Sequence, residues 1–298
     1  MQNFSYHSPA TLGEACALMA EAPGQSRFLA GGTDLYLAME HNAGPVNTVI
    51  DLKRIPGLEG IERAQHDGWR IGALTRMASL EHHEGLRAAL PALCDAASVV
   101  GGPPIRNRAT LGGNLCNASP AADTATPLLA FGAQVEVFDG KSSRTLELEA
   151  LWAGPRATTL RPDEVLTAVL IPPPQNGNTT HENTGHGNAF ARLTRSAMDI
   201  ALVNAAATLT LDASKQLASL TVSLGAVGAT VLSVPGTNAL LGRPVDEVLL
   251  GDIGKMAETA ARPITDVRAS AEYRREMAGV MAKRAVRRAA ALAQGDTQ

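Results

Sequence analysis

Two pairs of adjacent glycines give this chain the means to bind an anion. Gly31-Gly32 lies in FLAGGTDL, residues 28–35, and Gly112-Gly113 lies in RATLGGNLCNASPAADT, residues 108–124. Paired glycines tolerate positive φ and expose backbone N–H groups, so the chain can turn tightly around an anion. Thr33 and Asn114 would add side-chain hydrogen bonds at the rims. Two such segments predict a ligand with two phosphates, although either segment alone is also typical of a plain tight turn.

The residues around the first pair predict a strand that runs into a helix. Residues 28–30 are a short buried strand, and Leu35, Leu37 and Met39 continue at helical spacing. This order brings loop amides and a helix N-terminus to one point, which suits a phosphate. Asp34 is interpreted as the helix cap, a position that Asp prefers, or as a contact to a ligand hydroxyl.

The residues before the second pair predict a long helix over 86–100 despite Pro91, ended by Gly101-Gly102-Pro103-Pro104. Arg106 and Arg108 follow. They could face a pyrophosphate, but charged side chains of this kind are more often solvated or structural. Strands are expected at 47–52, 59–63, 69–72, 134–138, 144–148 and 165–171, with Thr11 capping a first helix.

The polar stretch 176–188 predicts a linker between two domains, 1–175 and 189–298, the first divided near residue 55. Its histidines, His181 and His186, have no cysteine near them in sequence, and no metal site is predicted there. Beyond it, residues 201–211 and 217–227 predict an antiparallel hairpin, followed by helices over 237–241, 247–261 and 270–294.

Composition and the absence of common motifs argue against several classes of function. The chain has 298 residues, 45% of them apolar, and a formal charge of −3. The negative charge argues against a general nucleic-acid binder, which is normally basic. No run of eighteen apolar residues predicts a transmembrane helix, and no signal peptide is evident. Three scattered cysteines predict reduced thiols in the cytoplasm. No GxGxxG, GxSxG, HExxH or P-loop pattern occurs, so a cofactor must carry any reaction.

These segments resemble a known family. AGGTDL at 30–35, ATLGGNLCNASPAAD at 109–123 and AFARLTRSAMDIALVNAAATL at 189–209 are similar to the FAD-binding, medium subunit of the xanthine dehydrogenase and carbon monoxide dehydrogenase family of molybdenum hydroxylases. The resemblance implies an α+β fold. A two-subdomain FAD-binding domain of the vanillyl-alcohol-oxidase-like (PCMH) type would precede a C-terminal domain of a three-stranded antiparallel sheet with helices.

The resemblance also implies site residues. The first segment would hold the pyrophosphate of FAD through backbone amides, and the second would hold it from the far side. Asp123 would contact sugar hydroxyls, Val100 would lie near the flavin or adenine, and Leu166 would make an apolar contact. Arg192 stands where the family often has a lysine. The residues implied at the cofactor are Leu29, Ala30, Gly31, Gly32, Thr33, Asp34, Leu35, Tyr36, Val100, Thr110, Leu111, Gly112, Gly113, Asn114, Ser119, Asp123, Leu166 and Arg192.

The function implied is electron transfer within a complex. A large subunit would hold the molybdopterin cofactor and a small subunit two 2Fe–2S clusters, in a dimer of heterotrimers. Electrons would pass through FAD to NAD, a quinone, a cytochrome or oxygen. No cysteine-rich insertion follows Asp123, so no iron–sulfur centre is expected in this chain. The alternatives are a free-standing FAD oxidoreductase and a flavin-free scaffold subunit.

Overall fold

The computed structural model describes residues 3–41, 44–64, 67–174 and 185–295. Within these residues, no helix is both long enough and apolar enough to cross a membrane.

The chain begins with a small parallel sheet. Its strands are β1 (Ser5–His7), β2 (Ser26–Leu29) and β3 (Thr48–Asp51), in the order β1-β3-β2. Helix α1 (Leu12–Glu21) connects β1 to β2, and its predicted cap is confirmed because Thr11 Oγ1 accepts from Glu14 N at 3.2 Å. Helix α2 (Thr33–Glu40) follows β2, and a 3-10 turn (Leu52–Arg54) follows β3. The carboxyl end of β2 therefore meets the start of α2, as predicted.

A five-stranded antiparallel sheet comes next. Its order is β4 (Ile61–Arg63), β5 (Trp69–Gly72), β10 (Val165–Ile171), β6 (Gln134–Phe138) and β7 (Ser143–Glu147). A separate ribbon pairs β8 (Trp152–Gly154) with β9 (Ala157–Thr158), after a 3-10 turn (Leu148–Leu151). Residue 55 separates β3 from β4, and a subdomain boundary there stays our prediction.

Short helices cover the second sheet. They are α3 (Met77–His82), α4 (Glu84–Ala89), α5 (Pro91–Ser98), α6 (Pro103–Arg106), α7 (Leu111–Cys116) and α8 (Ala125–Ala130). The prediction of one helix over 86–100 was wrong. Pro91 has no N–H and disfavours the helical conformation at the residue before it. Leu90 is therefore not helical, α4 ends at Ala89, and Pro91 begins α5.

The C-terminal domain packs helices on a sheet. Three nine-residue strands, β11 (Gly185–Leu193), β12 (Val203–Leu211) and β13 (Leu217–Gly225), are antiparallel, and β14 (Leu232–Ser233) adds two residues at the edge. A 3-10 turn (Thr237–Leu240) leads to α9 (Glu247–Ala260) and α10 (Ala271–Ala293). The predicted three-stranded sheet, hairpin and helices are confirmed, and β14 was not anticipated.

The first residues of β11 correct the linker prediction. Residues 185–188 belong to the strand, and residues 176–184, with His181, lie outside the described residues. Glycine is needed here for packing rather than for a turn. A Cβ on Gly187 would lie 1.9 Å from the Ala289 carbonyl oxygen of α10. The helix therefore rests directly on the strand backbone.

Near α5, a buried polar contact and an apolar contact join the domains. Asn188, which is 2% exposed, accepts from Ala92 N and donates to Ala89 O, both at 3.0 Å. Phe190 packs with a small alanine-rich cluster that includes residues of α5 and α8. The break between α4 and α5 is thus held by a buried side chain of β11, which joins the C-terminal sheet to the second sheet's helices.

Candidate functional site

The first glycine pair lies between β2 and α2. Gly32 caps α2 with φ +82°, a conformation that strains other residues. The backbone N–H groups of Thr33, Asp34 and Leu35, in the first turn, donate no hydrogen bond to any described residue. Free amides at the positive end of a helix attract an anion. The predicted anion site is therefore available at this segment.

The second glycine pair differs from the predicted loop because it lies inside helix α7. Thr110 caps this helix by accepting from Gly113 N at 3.2 Å, and Asn114 N donates to Thr110 O at 3.0 Å. The amides of Leu111 and Gly112 donate to Thr75 O at 2.9 Å and Ala73 O at 2.8 Å. All four amides are satisfied by the protein, so this segment has no free N–H groups for a diphosphate.

A glycine in each segment permits close packing, Gly31 against the other segment and Gly112 against Ala73. A Cβ on Gly31 would lie 2.0 Å from the carbonyl oxygen of Arg108, and one on Gly112 would lie 2.7 Å from the Cβ of Ala73. The backbone of the first segment thus touches the residues that lead into the second. The contact brings the free amides of α2 beside the second segment.

Two cavities flank this contact. One of about 600 Å³ lies between the two sheets and includes Ala30, Gly112, Gly113 and Leu166 in its lining. Another, of about 270 Å³, is lined by residues that include Gly31, Lys53, Arg76, Arg108 and Thr110. A larger cavity of about 830 Å³ lies between the second sheet and β11–β13, and none of the predicted site residues lines it. Six of the eighteen predicted residues therefore line the first two cavities: Ala30, Gly31, Thr110, Gly112, Gly113 and Leu166.

Asp34 does not cap α2, which corrects the favoured interpretation. Gly32 holds the cap position, and no side chain accepts from the first-turn amides there. Asp34 Oδ1 instead accepts from Asn117 Nδ2 at 2.8 Å, and Arg156 Nη1 lies 3.8 Å away. The carboxylate consequently ties α2 to the residue that follows α7, and it remains more than half exposed.

Asp123 and Arg192 contact each other. Arg192 Nε donates to Asp123 Oδ1 at 3.1 Å, and Asn204 Nδ2 donates to the same oxygen at 2.8 Å. The side chains of the pair are 8% and 11% exposed. Burial raises the pKa of the Asp123 carboxyl to about 6, although Arg192 and Asn204 act in the opposite direction. Two residues implied at the cofactor therefore form a buried ion pair across the domain boundary.

The remaining predicted residues surround this region or support it. Asn114 Oδ1 accepts from Thr124 Oγ1 at 2.8 Å, and Ser119 Oγ accepts from Ala121 N at 3.3 Å within a turn. Tyr36 is exposed on α2. Val100 lies between α5 and α6, partly buried against the core of the second sheet. These contacts give Asn114 and Ser119 structural partners.

The arginines before the second glycine pair have different surroundings. Arg106 Nε donates to Glu81 Oε2 at 2.7 Å in a largely buried pair, which is the structural role that the sequence favoured. Arg108 is exposed at the smaller cavity, and its side chain contacts no described acceptor. Lys53 Nζ donates to Ala30 O at 3.3 Å.

Sequence reasoning missed three residues at this site: Lys53, Asn117 and Asn204. Lys53 lies outside the segments quoted above, whereas Asn117 and Asn204 lie inside segments 108–124 and 189–209 but were not predicted as site residues. Asn204 lies 81 residues from Asp123 in the chain. Within the described residues, no group of His, Cys, Asp or Glu side chains could hold a metal ion.

Two models of known protein families match this chain, one in each domain. Residues 2–174 match the FAD binding domain in molybdopterin dehydrogenase, and residues 188–289 match the CO dehydrogenase flavoprotein C-terminal domain. The chain belongs to the FAD-binding, medium subunits of the xanthine dehydrogenase and carbon monoxide dehydrogenase family.

Full-length relatives agree with this assignment. The xanthine dehydrogenase FAD-binding subunit of Escherichia coli O157:H7 is 33% identical over 99% of this chain and 98% of its own length. The carbon monoxide dehydrogenase medium chain of Afipia carboxidovorans is 33% identical over 98% of each. The structure of the Cu,Mo-CO dehydrogenase in its cyanide-inactivated form contains a chain with a TM-score of 0.90, 32% identity and coverage of 98% of this chain and 99% of that one.

The family confirms several predictions. It confirms the fold class, the assignment to the oxidoreductases and FAD as the cofactor. It also confirms the role as an electron-transfer FAD subunit of a molybdenum hydroxylase. The structure also fits the cofactor. It offers free helix-terminal amides for a diphosphate and a cavity whose lining includes Gly112 and Gly113.

Proposed function

We propose that FAD binds along the contact between the two glycine segments. The free amides of Thr33, Asp34 and Leu35 would hold its diphosphate, and the cavity of about 600 Å³ would take the adenylate half. The observation that carries the proposal is the free first turn of α2 behind Gly32, at φ +82°. The second segment would support the site by packing, because its amides are already used.

The other implied residues have places in this proposal. Leu29 to Leu35 and Tyr36 would form one wall, and Thr110 to Asn114 the opposite wall. Asp123 would receive a sugar hydroxyl on its second oxygen, and Val100, Ser119, Leu166 and Arg192 would border the flavin end. FAD supplies two-electron and one-electron redox chemistry when bound. This chain's residues would bind it, orient it and restrict water around it.

We further propose the assembly implied by the relatives. A large molybdopterin subunit and a small subunit with two 2Fe–2S clusters would join this chain in a dimer of heterotrimers. Electrons would leave to NAD, a quinone, a cytochrome or oxygen. The medium chains among the relatives support the existence of partner subunits. Three free cysteines, two of them buried, are in keeping with a cytoplasmic location.

A visible absorption spectrum of the purified protein, with any chains that co-purify, tests the proposal first. We expect flavin bands near roughly 450 nm and release of FAD, not FMN, on denaturation. Iron–sulfur absorbance would accompany partner subunits and would be absent from the isolated chain. A protein that is colourless and takes up no added FAD would contradict the proposed function.

A further inference from the structure

Arg192 connects three parts of the site. Its Nε contacts the carboxylate of Asp123, as described above. Its Nη2 donates to Asp199 O at 2.5 Å, and its Nη1 donates to Ala197 O at 3.4 Å. The last two acceptors belong to the segment 194–202, which connects β11 to β12. One guanidinium thus joins this segment to a carboxylate of the FAD-binding domain.

The segment 194–202 has few other attachments. Leu202 N donates to Leu193 O at 2.9 Å, and Arg274 Nη1 donates to Leu202 O at 2.9 Å, both at its carboxyl end. Met198 is 71% exposed and Ile200 is 50% exposed. Among the described residues, Arg192 is the residue outside the segment that donates hydrogen bonds to its middle, where the Met198 side chain also lies beside Gly102. Arg195 pairs with Asp199 at 2.6 Å on the exposed side, within the segment itself.

The carboxylate of Asp123 is used on one side only. Both donors from the C-terminal domain, Arg192 and Asn204, contact Oδ1. Oδ2 accepts no hydrogen bond from the part of the chain that the structure describes. Asn204 is itself fixed, because its Oδ1 accepts from Thr126 Oγ1 at 2.7 Å. One carboxylate oxygen is thus held by the C-terminal domain, while the other has no hydrogen-bond donor among the described residues.

We propose that Asp123 and Arg192 form a latch between the domains, which positions the segment 194–202 beside the flavin site. Arg192 is then a positioning residue, and its planar group with several N–H donors is required because three separate acceptors must be spanned. A lysine ammonium would keep the charge but could not reach all three in this geometry. The relation to the flavin rests on the proposed function, and through Oδ2 the bound sugar and the latch would share one carboxylate.

Hydrogen exchange of the full-length chain tests the latch. Peptides covering 194–202 are followed by mass spectrometry in wild type, Arg192→Lys and Arg192→Gln, each without and with excess FAD. The matched control is Arg195→Lys, which alters the exposed arginine of the same segment. Circular dichroism confirms that each variant is folded. Asp123→Asn, which is of nearly equal size, removes the charge of the other partner in the same contact.

We expect both Arg192 variants to exchange about tenfold faster in this segment, the effect of losing one charge-assisted hydrogen bond. The control should stay within about twofold of wild type, as for an exposed pair. FAD should slow exchange further in wild type and have little effect in Arg192→Lys, because linkage between two contacts is reciprocal.

The reduction potential of the bound flavin, measured together with the exchange rate, distinguishes a latch from an effect of charge alone. If Arg192 acts through its charge alone, Arg192→Lys keeps the wild-type reduction potential and exchange rate while Arg192→Gln changes both. That result would overturn the latch. Under the latch, the two variants change together. Failure of wild type to bind FAD would instead contradict the proposed function, and the comparison of Arg192→Lys with wild type in the FAD-free chain would still decide the latch.

Discussion

Two glycines with nearly the same backbone conformation lie in different surroundings. Gly32 has φ +82° at the free end of α2, and Gly57 has φ +78° in a turn where an added Cβ would have nothing within 4 Å. Alanine at either position costs about 1–2 kcal/mol for the left-handed conformation. We expect Gly32→Ala to lose most bound FAD and Gly57→Ala to keep it, measured as flavin per folded chain.

The glycine comparison separates backbone strain from cofactor binding. Equal loss of FAD in both variants would mean that general destabilisation explains the result. Normal flavin content in folded Gly32→Ala would contradict the role of the α2 amides. Gly113→Val should also lose FAD, for another reason. Its Cβ would lie 2.8 Å from Thr110 Oγ1 and would displace the cap of α7.

We expect Asp123 to lower the free energy of unfolding as pH rises, the reverse of the usual effect of a paired aspartate. The pKa of its carboxyl is about 6 in the folded chain, against an ordinary value of 3.8. Between these values the folded state binds more protons than the unfolded state, so the free energy of unfolding falls as pH rises from about 4 to about 6. Urea midpoints measured across this range should therefore decrease less steeply in Asp123→Asn than in wild type.

A partly buried aspartate, Asp139, supplies a control with the opposite pKa shift. Backbone hydrogen bonds from Ser142 and Lys141 hold the pKa of Asp139 below its ordinary value. Its contribution is present above that ordinary value and is lost as pH falls through the lower folded value. Asp139→Asn should therefore change the slope with the opposite sign. A change of the same sign in both variants would contradict the assignment of the effect to Asp123.

At the scale of elements, the contact of α10 with β11 makes a direct prediction. Gly187→Ala would place a methyl group 1.9 Å from Ala289 O, and neither backbone can yield without separating the helix from the strand. We expect a loss of more than about 3 kcal/mol in the free energy of unfolding, or no folded C-terminal domain. Chemical denaturation followed by circular dichroism measures it.

Gly251 in α9 is the matched control because nothing lies within 4 Å of a Cβ there. Gly251→Ala should raise stability by about 0.5–1 kcal/mol through helix propensity. If Gly187→Ala were as stable as wild type, the close packing of α10 on β11 would be refuted.

Elements with strong local signals were predictable from sequence. The order of strand, glycines and helix over residues 28–40 and the hairpin of β12 and β13 follow from apolar patterning and turn residues. Helix α7 was taken for a loop because two glycines lower helix propensity. Its amides find partners in Ala73 and Thr75, more than thirty residues earlier, and that contact has no local signal.

At the scale of the whole molecule, ligand size should decide how much the fold is stabilised. A ligand at 100 times its Kd raises the free energy of unfolding by about 2.7 kcal/mol. FAD and ADP both carry a diphosphate, so both should raise the melting temperature. FMN has one phosphate and no adenine, and should raise it much less at equal concentration. An FMN effect equal to that of FAD would contradict the proposed placement of the adenylate half.

The parts of the site that sequence could not reveal are those shared between domains. Asp123 and Arg192 were each expected to face the cofactor, and their ion pair was not anticipated because 69 residues separate them. Asn204 lies in the segment 189–209, but no local pattern shows that its side chain contacts Asp123. Pairings of this kind depend on how β11 and β12 dock against the residues after α7.

The packing of α10 on β11 also sets an order for biosynthesis. The strands β11–β13 leave the ribosome well before α10 does, and their apolar face has no cover until that helix arrives. During this interval the nascent sheet is a target for chaperones and for aggregation. The C-terminal sheet would complete its fold only after α10 is made. If FAD needs the docked C-terminal domain, it would bind fully only after α10 is made.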